Sequence, residues 1–447
     1  MNLTTQLSTF LAQARLEDIP EAVRHEGRRT LLNCLGTALG GCRDEQVDHA
    51  LAVLGPFSGA PEAALAGRPE RVDALTAAFI NAAAGNLHDY DDTHLQTIIH
   101  PSGPVVPGAL ALAERRHADG ASLLRAILLG VEAECRVGNA VSPWHYAHGW
   151  HITSTCGAVG AAAAAGALLG LDAARMATAV SLGATQACGL LDSLGYMAKS
   201  VSVGNAPRGG IVAALLAERG FTSGPQTLDG KYGFIHVLGE NPDAEALVRG
   251  LGRTWEAARV AFKPYPGGIV LHPVIDALLA LRQAHRLEAG QVARITVRAH
   301  PLLRQRTDRP RPKLGREAQV SLQHASAMCL LHGAAGLRQF TDEMAVEPAA
   351  QAFADRVEIE DDAAVPVESA IVTVRTTDGR VLREEVRHAL GSLGRPMTDA
   401  QLEAKVRECA AFGAPGYDPS PLIDAAWTVD RMKDAADLAA LWRYAPA

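Results

Sequence analysis

The side chains of this protein that are best suited to proton transfer are concentrated in the segment 88–103, which reads HDYDDTHLQTIIHPSG. Its sixteen residues include three aspartates, three histidines and two threonines. Carboxylates and imidazoles are the side chains that most often take or give a proton in enzymes. Burying them between apolar helices costs free energy unless they pair with one another or do chemistry. We name residues 88–103 the signature segment and treat it as a candidate site; the alternative is a solvated loop in which Asp and Thr cap helices.

A second polar cluster, 143–151, reads PWHYAHGWH and directly precedes a run of small residues. Its histidines lie three residues apart, which would place them on one face of a helix, but Pro143 and Gly149 favour a loop. A zinc site usually has cysteine or carboxylate ligands as well. The chain contains no Cys-x-x-Cys pair and no His-Glu-x-x-His pattern. We therefore predict no metal ligands and an activity that needs no metal.

A third segment, 195–210, reads GYMAKSVSVGNAPRGG and carries Lys199 and Arg208. Its glycines and serines predict a connection ahead of a helix over 211–219. One interpretation is an ordinary helix connection with solvated charges. The other is a cationic wall for an anionic substrate, assisted by backbone N–H groups at the start of the next helix.

These three segments lie between stretches with helical periodicity. Near the start of the chain, Pro20 fits a helix start and Gly40-Gly41 fit its end. Ser122 is predicted to cap the helix that follows a turn at 119–120. Helices are predicted over residues 22–39, 104–117, 122–137, 152–171, 176–191, 272–285, 318–332, 399–409 and 431–444.

The alternation that is typical of strands is confined to one part of the chain. It occurs over residues 293–300, 370–376 and 381–386, the last two joined by the hairpin turn Asp378-Gly379. The pattern is helical before and after this part, so we predict a mostly α fold with a smaller α+β domain. In this prediction a large all-helical domain is built from both chain ends, 1–266 and 396–447, with the α+β domain, 267–395, inserted between them.

The composition describes a globular protein with a large core, since 48% of its 447 residues are hydrophobic and 20% are charged. The net charge is −7 and no basic stripe occurs, so we expect no nucleic-acid partner. The N-terminus lacks the basic start and the long apolar core of a signal peptide. The seven cysteines are scattered and odd in number, which favours reduced thiols. We therefore predict a cytoplasmic protein.

The stretch 152–171 carries no charge over 20 residues and could be mistaken for a membrane span. Most of it is alanine and glycine, whereas membrane spans usually depend on Leu, Ile, Val and Phe for insertion. Together with 176–191, it is predicted to form closely packed helices at the centre of a soluble core. We therefore expect no membrane partner; the alternative is a membrane hairpin.

Motifs along the whole chain agree with one family. They are HDYDDTH, HPSGPVVPGALALAE, GWHITSTCGAVGAAAAAGALLGLD, KSVSVGNA, ERGFTSGP and FKPYP, in that order. Together they resemble the MmgE/PrpD family, which includes 2-methylcitrate dehydratase, cis-aconitate decarboxylase and iminodisuccinate epimerase. The resemblance implies a large helical domain built from both chain ends, a smaller α+β domain and a homodimer. It also implies catalysis without a metal or an organic cofactor.

The resemblance also implies roles for the residues at matching positions. The catalytic residues that it implies are Asp89, His100, His151, Lys199 and Lys263. The substrate-binding residues that it implies are Asp91, Asp92, Thr93, Ser202, Gly268 and His324.

Three departures from the family pattern should line or flank the pocket. Ser202 stands where many members have His, and His324 stands where a Tyr is common. Gly267 and Gly268 replace Cys or His residues that often follow the motif FKPYP. These departures leave the identity of the substrate open.

The reactions of this family move a proton at a carbon next to a carboxylate. Cations and hydrogen-bond donors must stabilise the enediolate-like charge that results, which suits Lys199 and Lys263. A base and an acid are also required. Asp89 or His151 could be the base, and His100 or His324 could be the acid.

From this resemblance we predict a cofactor-independent lyase that acts on a small di- or tricarboxylate. The expected reaction is of the 2-methylcitrate dehydratase kind, which makes the enzyme a hydro-lyase. One alternative is an isomerase or epimerase of an imino- or amino-dicarboxylate, and another is a cis-aconitate decarboxylase-like enzyme. A non-catalytic helical scaffold is disfavoured, because the titratable residues are clustered in motifs.

Overall fold

The structure is a computed structural model that describes residues 2–445. The chain divides into two compact units. The first, named the helical unit, contains the residues through Leu87, Asp91–Ala261 and the residues from Leu402 onward. The second, named the α+β unit, contains His88–Tyr90 and Phe262–Gln401. A mostly helical chain with a smaller α+β part is thereby confirmed.

The part of the chain before residue 262 is dominated by helices, with two short strand pairs. Its elements are α1 (Leu3–Gln13), α2 (Glu21–Gly41), α3 (Glu45–Leu54), β1 (Ala63–Ala64), β2 (Arg71–Val72), α4 (Ala74–Asn86), β3 (Thr93–His94), α5 (Ser102–Arg116), α6 (Gly120–Val141), α7 (Trp144–Ala147), α8 (Ile152–Leu168), α9 (Ala173–Ala184), α10 (Ala198–Glu218), α11 (Phe234–Val237) and β4 (Val260–Ala261).

Helix α8 lies at the centre of the helical unit, and every residue from Ile152 to Ala167 is buried. Its small side chains allow neighbouring helices to approach. A Cβ atom on Gly160 would lie 2.7 Å from the Cβ atom of Glu134 in α6. A Cβ atom on Gly210 of α10 would lie 2.4 Å from the Cβ atom of Ala161. Among residues 2–445, no helix has the length and apolar character needed to cross a membrane.

The prediction of a connection over 195–210 is wrong, because α10 begins at Ala198 and continues through Pro207. Its glycines permit close packing instead of forming a turn. A Cβ atom on Gly204 would lie 2.7 Å from the ring of Phe79 in α4. The segment therefore becomes helical because its small residues fit against α4 and α8.

Other predicted helices differ from the structure mainly at their ends. The helix α6 is capped by Asp119, whose side chain accepts a hydrogen bond from the backbone N–H of Ser122, so the predicted Ser122 cap is wrong. The small-residue helix α9 ends at Ala184, well before residue 191. The predicted helix over 272–285 is confirmed with the same bounds.

The α+β unit contains one four-stranded sheet and several short helices. Its elements are α12 (His272–His285), β5 (Val292–Ala299), α13 (Leu302–Thr307), α14 (Gly315–Ala318), α15 (Leu322–Leu331), α16 (Asp342–Ala345), α17 (Pro348–Phe353), β6 (Val357–Asp361), β7 (Ala370–Thr376) and β8 (Val381–Val386). The strand order is β6-β5-β7-β8, with β5 and β6 parallel and the other pairs antiparallel. The strand β6 was not predicted.

The core of this unit lies between the sheet and α12. Ile295 of β5 lies opposite Val374 of β7, and both side chains are buried. They belong to one apolar cluster with Leu278 and Leu281 of α12. The predicted strands 370–376 and 381–386 are confirmed, as is the turn between them, in which Gly379 has φ 88°.

The chain ends in three helices, α18 (Asp399–Gly413), α19 (Ser420–Trp427) and α20 (Ala435–Trp442). Two buried hydrogen bonds attach α18 and α20 to α2. The ammonium of Lys405 donates to the side-chain oxygen of Asn33 at 2.7 Å. The indole N–H of Trp442 donates to the carbonyl of Leu35 at 3.0 Å. The last segment of the chain is thus part of the helical unit together with its first helices.

Candidate active site

The part of the signature segment in the helical unit folds into a compact, buried loop between α4 and α5. Thr93 pairs with Ala261 in the short β3–β4 ladder, and the backbone N–H of His94 donates to the carbonyl of Ile99 at 2.7 Å. The side chains of Asp91 and Asp92 are almost completely buried. The alternative of a solvated loop is therefore wrong for these residues.

The imidazole of His100 is held through its Nδ1 atom. That nitrogen lies 2.8 Å from the carbonyl oxygen of Asp92 and 3.2 Å from the hydroxyl of Thr93. A carbonyl oxygen only accepts hydrogen bonds, so Nδ1 carries the proton and the neutral ring has its lone pair on Nε2. A carboxylate oxygen of Asp91 lies 3.3 Å from the same Nδ1, which stabilises a positive charge on the ring.

The carboxyl group of Asp92 joins this loop to the start of α5. It accepts hydrogen bonds from the backbone N–H of Ser102 at 3.2 Å and from the Ser102 hydroxyl at 2.5 Å. Burial raises the pKa of Asp92 to about 7; the Ser102 hydrogen bond opposes this rise and the nearby charge of Asp91 adds to it. Asp92 therefore positions the backbone that holds His100, and its predicted contact with a substrate stays a prediction.

The second histidine, His151, immediately precedes α8 and is almost completely buried. Its Nδ1 atom lies 2.7 Å from the hydroxyl of Ser154, and that hydroxyl lies 2.9 Å from the hydroxyl of Ser202 in α10. Thr153, two residues after His151, links this region to His100. Its hydroxyl accepts a hydrogen bond from the backbone N–H of His100 at 3.1 Å. The helical unit thus brings His100, His151 and Ser202 into one region.

Two site residues of this region were not predicted. Ser154 was missed although it lies three residues after His151 at the start of a helix, a spacing that allows contact. Ser102 was missed although it follows His100 closely in the motif HPSG. The predicted residue Lys199 lies in the first turn of α10, where its side chain is half-buried and its carbonyl accepts the hydroxyl of Ser202 at 3.0 Å.

In the α+β unit, the structure brings together Asp89 and Lys263. The ammonium of Lys263 is almost completely buried and lies 2.8 Å from a carboxylate oxygen of Asp89. Asp89 has φ 49°, a left-handed conformation that few residues other than glycine adopt. The backbone N–H of Gly267 donates to the Asp89 carbonyl at 3.0 Å and helps to fix this conformation.

The remaining predicted residues of the α+β unit are His324 and Gly268. The Nε2 atom of His324 donates to the carbonyl of Gln339 at 2.7 Å, which leaves Nδ1 as the acceptor in the neutral ring. Burial lowers the pKa of His324, which favours that neutral ring. Gly268 has an ordinary φ of −67°, and its backbone N–H donates to the carbonyl of Gln319 at 3.4 Å.

Comparison with known proteins agrees with the motifs. The family model of the MmgE/PrpD N-terminal domain matches residues 5–247 of the sequence. The family model of the MmgE/PrpD C-terminal domain matches residues 265–418. The chain belongs to the MmgE/PrpD family. The predicted resemblance is thus confirmed.

Three relatives of this MmgE/PrpD member carry the same name, cis-aconitate decarboxylase. The Homo sapiens protein is 27% identical over 98% of this chain and 94% of its own length. The Mus musculus protein is 25% identical over 99% of this chain and 93% of its own length. The Aspergillus terreus protein is 25% identical over 98% of this chain and 95% of its own length. Decarboxylases are lyases, so the comparisons support an enzyme of that kind.

The structure gives a physical reason for one departure from the family pattern. Gly267 has φ 99°, and a Cβ atom there would lie 2.1 Å from the carbonyl oxygen of Gln319. A side chain of any size therefore clashes at this position in this member of the family. Gly268 has no such restriction, since the nearest atom to its Cβ position is 3.9 Å away, in Val270.

Proposed function

We propose that this MmgE/PrpD member is a lyase that acts on a small di- or tricarboxylate, with decarboxylation of cis-aconitate as the first candidate reaction. The observation that carries this proposal is the end-to-end match to proteins named cis-aconitate decarboxylase, over at least 98% of this chain. The two histidines, each held through Nδ1, support a reaction that needs proton transfer.

In a decarboxylation, a carbon–carbon bond breaks, CO2 leaves and the electron pair stays on the carbon. A proton donor must then protonate that carbon, and nearby cations must stabilise the charge in the meantime. We propose His100 as the proton donor, because the Asp91 carboxylate 3.3 Å from its ring stabilises the protonated form. For Lys199 and Lys263 we propose the electrostatic role.

A second candidate is a hydro-lyase of the 2-methylcitrate dehydratase kind. Dehydration requires a base for the carbon-bound proton as well as an acid for the hydroxyl group. The two histidines have different neighbours, which favours one as acid and the other as base: a carboxylate of Asp91 lies beside Nδ1 of His100, and the hydroxyl of Ser154 lies beside Nδ1 of His151. An epimerisation would also need one group as base and another as acid, but it has no leaving group.

We also propose a homodimer. The support is a set of exposed apolar residues before and within α10, which single chains seldom leave open to water. They are Leu190, Leu194, Tyr196, Met197 and Val201. Sedimentation at several protein concentrations tests this proposal, and a monomer at all of them would contradict it.

One experiment separates the candidate reactions. The purified protein is incubated in D2O with cis-aconitate, with 2-methylcitrate and with related dicarboxylates, and the products are followed by NMR and by CO2 release. A decarboxylase releases CO2 and leaves one deuterium on carbon. A dehydratase forms an alkene without CO2, and an epimerase exchanges a carbon-bound proton without either change. If none of these carboxylates reacts, the proposal of a lyase is wrong.

The same assay is repeated after dialysis against EDTA. We expect unchanged turnover, because the reaction is proposed to need no metal. Activity that disappears and returns with added Fe or Zn would contradict this part of the proposal.

A further inference from the structure

A chain of three hydrogen bonds connects the ring of His151 to the backbone of α10. The Nδ1 atom of His151 lies 2.7 Å from the Ser154 hydroxyl. That hydroxyl lies 2.9 Å from the Ser202 hydroxyl, which lies 3.0 Å from the carbonyl oxygen of Lys199. All three side chains are at least nine-tenths buried, so bulk water does not compete for these bonds.

The carbonyl at the end of this chain fixes the direction of every proton in it. The Lys199 carbonyl only accepts, so the Ser202 hydroxyl donates to it and uses its single proton. The Ser202 oxygen must then accept the proton of Ser154. Ser154 has no further proton to donate, and it therefore accepts the hydrogen of His151 Nδ1.

We infer that Ser154 and Ser202 are positioning residues that hold His151 as the Nδ1–H tautomer. In that tautomer, Nε2 is the nitrogen that exchanges a proton with the substrate. This inference rests on the proposed function, since it takes His151 as a group that contacts the substrate. Ser202 was predicted to bind substrate, and that contact stays a prediction; the role inferred for it is to position His151.

The backbone and the packing around His151 and Ser154 keep these hydrogen bonds in place. The backbone N–H of His151 donates to the carbonyl of Gly189 at 3.1 Å. A Cβ atom on Gly189 would lie 3.0 Å from that of Ser154 and 3.1 Å from that of His151. The two side chains thus pack against a position where any substituent would displace them. The two hydroxyls and the carbonyl in this series of hydrogen bonds are neutral groups. They therefore fix a tautomer of His151 without adding charge beside the ring.

The tautomer is measured directly by 15N NMR of the histidine-labelled protein without substrate, with the His151 signals assigned from the spectrum of His151→Asn. We expect wild type to show Nδ1 protonated and Nε2 unprotonated in the neutral ring. In Ser202→Ala the Ser154 hydroxyl can reverse and donate to Nδ1, so the spectrum should show a mixed or opposite tautomer. Ser202→Thr keeps the hydroxyl and should restore the wild-type spectrum.

A matched control is Ser200→Ala, two residues away in the same helix. Ser200 is as buried as Ser202, but its hydroxyl donates to the side chain of Gln46 at 3.2 Å instead. This variant should leave the His151 tautomer unchanged. A wild-type protein with Nε2 protonated would overturn the inference, and so would a Ser202→Ala protein that keeps the pure Nδ1–H tautomer.

Kinetics provide the second measurement. With the substrate that the protein turns over, Ser202→Ala should lower kcat by about tenfold or more with little change in KM. The loss should not exceed the roughly 10²–10⁴ that a whole acid–base group contributes. Unchanged kcat in Ser202→Ala would contradict the positioning role. A protein that turns over none of the carboxylates but has the expected tautomers would refute the proposed function alone, because the spectra require no substrate.

Discussion

The ammonium of Lys263 lies 2.8 Å from a carboxylate oxygen of Asp89 and 3.0 Å from the carbonyl oxygen of the same residue. Lys263 thus holds both the charge and the backbone of Asp89. The backbone there is left-handed, with φ 49°, and such a conformation persists only where the surroundings fix it. Both residues were predicted as catalytic from motifs that lie far apart in the chain.

Replacement of Lys263 by Met should lower kcat/KM by about 10²–10³, the usual cost of removing one buried donor that stabilises transition-state charge. Lys199→Ala should act in the same direction. Lys231→Met is the matched control, because Lys231 is exposed and lies over the ring of Tyr232. Near-wild-type turnover in the Lys263 variant would show that this ammonium serves only to hold the backbone.

Asp89→Asn separates the charge of Asp89 from its backbone conformation. Asn tolerates left-handed φ values as well as Asp does, so the fold should be retained while the carboxylate is lost. We expect turnover to fall and the unfolding midpoint in urea to change little. A large loss of stability with full activity in the remaining folded protein would contradict a catalytic role for this carboxylate.

His100→Asn and His151→Asn test the two histidines as proton-transfer groups. Each variant should lower the rate of solvent deuterium incorporation into substrate or product by about 10²–10⁴. The exposed residue His49 provides the control variant, His49→Asn, which should incorporate deuterium at the wild-type rate. Full incorporation in both test variants would mean that another group moves the proton.

Gly267→Ala and Gly268→Ala form a matched pair for stability. At position 267, φ is 99° and a Cβ atom would lie 2.1 Å from the carbonyl oxygen of Gln319. We expect that substitution to lower the free energy of unfolding by roughly 3 kcal/mol. Gly268→Ala should change it by less than about 0.5 kcal/mol. Urea unfolding measures both, and equal effects would be inconsistent with the close approach of Gln319.

Glu134 should make the protein less stable as the pH rises. Within residues 2–445 neither carboxyl oxygen of Glu134 has a hydrogen-bond partner. Burial, with a smaller effect from Asp92, raises its pKa well above the ordinary 4.5. The folded protein therefore binds this proton more tightly than the unfolded chain does. Its contribution to stability is complete below pH 4.5 and is lost as the pH rises through the folded-state pKa.

Glu134→Met removes this ionisation while keeping the shape of the side chain. The variant should be at least as stable as wild type at about pH 8 and should show a shallower pH dependence of the unfolding free energy. Urea unfolding at about pH 5 and about pH 8 measures the difference. The exposed Glu240 gives the control, Glu240→Met, with an unchanged pH dependence. A loss above about 2 kcal/mol at the higher pH would mean that the carboxylate makes a required contact.

The sequence by itself determined the features that depend on local patterns. Period-two alternation predicted β7 and β8 with their bounds, and helical periodicity predicted α12. The alanines and glycines of α8 predicted a buried helix, because side chains of this size let other helices pack closely. The ordered motifs predicted the family, since each motif is a run of neighbouring residues.

Only the tertiary structure decided which side chains contact one another. Ser154 and Ser202 are 48 residues apart, yet their hydroxyls are hydrogen-bonded. The glycines of 195–210 read as a connection, but packing against Phe79 makes the segment helical. Burial by several helices also leaves Glu134 without a hydrogen-bond partner among the described residues. Local spacing carries no information about such partners, because they are brought together by packing between distant segments.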